Sequence, residues 1–215
     1  MTSRREFLGY AGVGAMAATV APVANVNAQA APRSPSNSKP KGYNPVRTLN
    51  GWTLPYTLKN GVKEFHLVAE EVEHEFAPGS VAKCWGYNGS TPGPTIEAVE
   101  GDRIRILVTN RLKEHTTIHW HGLLLPSGMD GVGGLNQPQI KPGETFAYEY
   151  TLHQHGTHMY HPHADEMTQM AVGMMGLFII HPKDGEDVPV DRDYCFLLHN
   201  WGLHPGTYRP DPSIM

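Results

Sequence analysis

Two His-x-His pairs carry most of the chemistry this sequence could perform. His119-Trp120-His121-Gly122 and His161-Pro162-His163 each stand at the end of a stretch with strand character. Side chains two apart on a strand share a face, with their Cα atoms roughly 6.5–7 Å apart. Each pair therefore projects both imidazoles in one direction. Trp120 points the opposite way, where a large apolar ring belongs in a core. If the two strand ends lie side by side, four imidazoles converge on a small volume. Such an all-nitrogen site without thiolate suits copper or zinc. The spacing within a pair also lets two imidazoles serve two neighbouring ions. A single strand histidine is ordinarily a surface residue, or a core residue with its hydrogen bonds met. Two pairs at two strand ends are hard to explain that way.

Other metal chemistries fit less well. The metallo-β-lactamase pattern is His-x-His-x-Asp-His; His161 to Asp165 follows it, but Glu166 stands where its last His belongs. A cupin places its ligand Glu three or four residues after His-x-His, whereas only Ala164 and Asp165 separate His163 from Glu166. Both leave His119 and His121 unexplained. Met159, Met167, Met170, Met174 and Met175 surround the second pair; thioethers bind Cu(I), but Met also fills irregular core gaps. His153, His155 and His158 read as edge or surface residues. Cys84 and Cys195 have no His neighbour and read as ordinary buried strand residues.

The elements that must position these groups read as strands. Period-two alternation is plain in Arg103–Val108 and Phe146–Leu152. Further strands are expected over Lys63–Phe76, Val81–Tyr87, Thr116–His121, Thr157–His161, Gly176–His181 and Tyr194–Leu198. Turn residues separate them at Asn88-Gly89, Pro92-Gly93-Pro94, Gly101-Asp102 and Pro142-Gly143, and no stretch has a sustained helical period. With 23 Gly and 18 Pro among 215 residues, long helices are disfavoured. The expectation is an all-β protein, an antiparallel sandwich or barrel, over residues 50–184, with 185–215 starting a second, incomplete domain. A net charge of −4 leaves no basic surplus for nucleic acid. Two cysteines cannot staple a disulfide scaffold, whereas 13 histidines are an unusual supply of metal ligands.

The first 28 residues read as an address. Arg4-Arg5 precedes Phe7-Leu8, then an uncharged Gly/Ala/Val-rich stretch leads to Val26-Asn27-Ala28, a fitting cleavage site. The paired arginines resemble the twin-arginine export signal, which implies a periplasmic destination. The glycines and Pro22 make a poor membrane-spanning helix. Residues 29–49 read as a Pro/Ser-rich linker.

Several runs together carry a family resemblance. Thr117 to Gly122 and Gly156 to His163 are similar to the first two copper motifs of multicopper oxidases: laccases, ascorbate oxidases, and bacterial copper-resistance and cuprous oxidases. Tyr87 to Ile96, Gly101-Asp102-Arg103-Ile104, Met129-Asp130-Gly131 and Gln139 to Gly143 resemble the frame around those motifs. The likeness covers roughly residues 83–184. It implies a cupredoxin-like Greek-key β-sandwich and copper as cofactor. It also implies that His119 binds the type 2 copper, that His121, His161 and His163 bind the type 3 coppers, and that Asp130 helps supply protons. The reaction implied is O2 reduction to water by a small one-electron donor, a phenol or Cu(I). The four histidines are half of the trinuclear ligands, and the type 1 site with its His-Cys-His motif is absent from this sequence. The rest is therefore expected from missing C-terminal cupredoxin domains, and the chain alone is expected to be inactive. A non-catalytic copper-binding or sequestering protein is the alternative.

Overall fold

The longest strand organises the molecule. Alternation of apolar and polar residues from Val62 to Ala77 gives a 16-residue strand, β3, too long to keep one neighbour along its length. In the computed structural model, which describes residues 43–49, 51–204 and 207–214, its first half pairs with Arg103–Asn110 (β6) and its second half with Ser80–Tyr87 (β4). The signal and most of the linker expected from the sequence lie outside the described residues. Thr57–Lys59 (β2) and Thr145–Thr151 (β8) complete this five-stranded sheet, in the order β2-β3-β6-β8 with β4 on β3. The second sheet carries both histidine pairs. It runs Ile96–Val99 (β5), Gly176–His181 (β10), Gly156–His161 (β9), His119–His121 (β7).

The two sheets bury their facing side chains in one core. Phe65, Leu67, Ile104, Ile106, Val108 and Tyr148 from the first meet Ile96, Trp120, Tyr160, Phe178 and Ile180 from the second. Trp120 is fully buried, edge-on to Tyr148 at 5.1 Å and to Phe178 at 6.0 Å. The inward-facing ring expected from the His-Trp-His alternation is thus the centre of the sandwich. Met174 and Met175 are core residues, Cys84 and Cys195 are buried free thiols, and Met167 is exposed.

Several elements differ from expectation. The sheets are mixed rather than antiparallel, since β3 runs parallel to β6 and β5 to β10. The chain crosses between sheets after β4, β5, β6, β7 and β8, so sheet neighbours are not sequence neighbours and need not be hairpins. β5 lies between turn signals and is too short to show a period. A helix, α1 (Glu166–Ala171), follows the second histidine pair; six residues are likewise too few for periodicity to reveal. The strand expected over Tyr194–Leu198 shortens to Tyr194–Cys195 (β11), paired in parallel with Arg47–Thr48 (β1). The end of the stretch read as linker is therefore packed, with Val46 buried and Tyr43 stacked on His181 at 4.0 Å. No helix among the described residues is long and apolar enough to cross a membrane.

Candidate metal centre

Strand pairing brings the two histidine motifs together. β7 and β9 are antiparallel neighbours, and their register places His119 directly opposite His161 and His121 opposite Met159. The ring centroids of His119 lie 5.7 Å from His121, 5.4 Å from His161 and 5.3 Å from His163. One ligand atom from each of His119, His121 and His161 falls within 4.8 Å of the others. His163 stands beside this trio, with its backbone N–H donating to Thr117 Oγ1 at 3.2 Å.

Backbone carbonyls set the orientation of two rings. His119 Nδ1 lies 2.6 Å from the Asp130 carbonyl oxygen, and His161 Nδ1 lies 2.9 Å from that of Pro162. A carbonyl only accepts, so each Nδ1 carries the proton and each Nε2 keeps a lone pair in the neutral ring. That is how ligand imidazoles are held ready for a metal. Burial, followed by the neighbouring imidazoles His119 and His121, pushes the His161 pKa below its ordinary value; the Pro162 carbonyl and Glu166 oppose this. A ring so placed is neutral at neutral pH, as a metal ligand must be. His121 Nδ1 approaches His161 Nε2 to 3.1 Å, a contact that a cation between them would take over. The donor set is all imidazole nitrogen and fits copper.

Two glycines explain the motif's shape. Gly131 has φ +89°, and a Cβ there would overlap the Ile118 carbonyl. Only glycine lets the Asp130 loop close onto the strand and bring its carbonyl to His119. Gly122 has φ +80°, and its missing Cβ makes room for the His158 ring. His158 is accordingly half-buried, unlike exposed His153 and His155, with burial lowering its pKa.

Each candidate has a definite place. The Asp130 carboxylate is about one-third exposed, with Oδ1 3.4 Å from His119 Nδ1. The sequence gives no role at the site to Gln169, and marks Thr117 only as part of a motif and Glu166 only as a departure from other metal patterns. Buried Gln169 accepts from Thr116 Oγ1 at 2.7 Å and donates to the His115 carbonyl at 2.9 Å, tying α1 to the segment that leads into β7.

Comparison with known proteins identifies the family. The family model described as Multicopper oxidase matches residues 69–185, more than half of the chain and all four histidines. The chain belongs to the multicopper oxidase family. Copper resistance protein A of Escherichia coli is 41% identical over 123 residues, covering 57% of this chain and 20% of that protein. L-ascorbate oxidase of Brassica rapa subsp. pekinensis is 38% identical over 155 residues, covering 69% and 26%. The multi-copper oxidase of Pseudomonas thermotolerans superposes with a TM-score of 0.57 at 36% identity, over 59% of this chain and 31% of that one. The chain thus spans between a fifth and a third of these relatives. Its fold is the cupredoxin-like β-sandwich of multicopper oxidases, and the family implies copper as the metal.

Proposed function

We propose that His119, His121, His161 and His163 are copper ligands, and that this chain forms one wall of a type 2/type 3 trinuclear copper centre. The observation that carries this reading is the meeting of His119, His121 and His161 with ligand atoms within 4.8 Å, two of the rings held by carbonyls. The remaining ligands and the electron-entry site come from residues outside this sequence, as the fractional coverage of the relatives supports.

Copper bound there would supply the capacity to pass four electrons, one at a time from a donor, to O2. The chain's own residues supply part of the ligand set and a route for protons. His161 is buried and turns its Nε2 toward His121, the most exposed of the trio and so the one open to O2 and to further ligands. The Asp130 carboxyl, between solvent and His119, is placed to take up a proton and release it at Oδ1 toward the site, as general acid catalysis needs. The donor is a phenol or Cu(I). The twin-arginine-like start supports export to the periplasm.

The test is copper stoichiometry with optical and electron paramagnetic resonance spectra, followed by oxygen uptake. The 215-residue chain is expected to bind fewer than three coppers, to show no blue band, and to oxidise no phenol. Addition of the C-terminal portion of a close relative in trans is expected to restore oxygen uptake. Tight copper binding without turnover after that addition would favour the sequestering alternative. No copper binding at all would overturn the site.

A further inference from the structure

Glu166 opens α1 three residues after His163 and turns its carboxylate back on the histidine pair. Oε1 lies 3.6 Å from His161 Nδ1, and Oε2 lies 3.6 Å from His163 Nε2. One carboxylate thus faces both rings of the second pair with a different oxygen on each.

The helix that carries it is tied down. Asp165 adopts a left-handed conformation at φ +46° and reverses the chain after the pair. Thr168 Oγ1 donates to Asp165 Oδ1 at 3.0 Å across the first turn. Buried Gln169 then bonds Thr116 Oγ1 and the His115 carbonyl. Glu166 is therefore placed relative to both histidine pairs by the hydrogen bonds of its helix, the Thr116–Gln169 bond among them buried, and not by its own exposed side chain.

His163 is the ring that needs such a partner. His119 and His161 each have a carbonyl behind Nδ1. Among the described residues no carbonyl plays that part for His163, and the Glu166 carboxylate occupies one side of its ring. We propose that Glu166 is a positioning residue for the second histidine pair, its two oxygens fixing the angle at which His161 and His163 face the metal. This rests on the reading of those two residues as copper ligands. Acceptors behind ligand imidazoles set ring orientation and raise ligand basicity, and their loss weakens metal binding by about 10–100-fold.

The experiment compares Glu166→Ala and Glu166→Gln with the unaltered full chain. Cu(II) affinity is read by competition with a chelator, and Cu(II) geometry by the electron paramagnetic resonance hyperfine splitting. Glu166→Ala is expected to weaken binding about 10–100-fold and to change the splitting, with the metal-free melting temperature unmoved. Glu166→Gln keeps one acceptor oxygen and is expected to fall in between, which a general packing defect would not produce. Wild-type affinity and an unchanged spectrum in Glu166→Ala would overturn the proposal while leaving the site intact. If Glu166→Ala does not fold, the same outcome in Glu166→Gln would overturn it. An unaltered chain that binds no copper would overturn the site reading and this inference with it.

Discussion

The histidine-bearing sheet has two ends, and histidines do opposite things at them. At one end, where Gly176 of β10 aligns with Tyr160, the His119, His121 and His161 rings face one another. Five residues along β10, roughly 17 Å away at strand spacing, His181 is as buried as His161. Its Nε2 lies 2.7 Å from Oε1 of buried Glu97, which also accepts the Val46 N–H at 2.7 Å. That oxygen accepts twice, so His181 Nε2 carries the proton. Tyr43 stacks on the same ring. His181 therefore has its polar need met by a side chain and serves to fasten Tyr43 to Thr48 onto the sheet. At the other end His119 and His161 bond to neutral backbone carbonyls, and one ligand atom of each ring in the trio lies within 4.8 Å of the others. The residue type is the same; at one end the rings turn ligand atoms on one another, and at the other a lone ring is spent on one buried carboxylate.

The largest expected effect separates the two ends by stability. Glu97→Ala removes the partner of both His181 and the Val46 amide inside the protein. Breaking a buried pair on one side costs about 3–5 kcal/mol. Chemical denaturation should show that loss, with limited proteolysis releasing the segment around Val46, while copper affinity stays at its original value. Lost copper binding in a folded Glu97→Ala chain would break the contrast. Next comes the double substitution His161→Ala with His163→Ala, which should weaken copper binding by on the order of 100-fold or more, about 2.7 kcal/mol at least. Unchanged affinity would move the site to His153, His155 and His158.

How much of this was legible follows from the range of the interactions involved. Alternation is local, so β3, β4, β6, β8 and β10 and the inward Trp120 could be read directly. The histidine pairs could be read because strand geometry fixes which residues share a face. That they meet depends on the β7–β9 register, which sequence spacing does not state and the motif resemblance supplied. The parallel pairings, β1 against β11, and His181 on Glu97 join residues far apart in the chain, and nothing local marks them. Glu166 was noticed only as a departure from other metal motifs, since its bearing on the pair depends on α1, a helix too short to announce itself. Asp130 was singled out for its side chain, whereas the closest contact it makes with the site is through its backbone.

That last distinction gives the two smaller predictions. Gly131→Ala adds a Cβ where the Ile118 carbonyl stands, at a φ that favours glycine. The loop must retreat, the Asp130 carbonyl leaves His119 Nδ1, and copper affinity should fall by about tenfold, the low end for loss of an orienting partner. A chelator competition on the folded variant measures it.

Asp130→Ala should do almost nothing to binding. The 2.6 Å contact to His119 comes from the main chain, which the substitution keeps, and the carboxylate oxygen is farther away at 3.4 Å and partly exposed. Solvent screens an exposed charge, so its loss is worth well under about 1 kcal/mol, less than a factor of about five in affinity. Oxygen uptake in the complemented protein should fall far more than that if the carboxyl delivers protons, because general acid assistance contributes about 100-fold or more. A tenfold loss of copper affinity in Asp130→Ala would show that the side chain holds His119, and His119 would then resemble His181 at the far end of the sheet more than the carbonyl-held ligand described here.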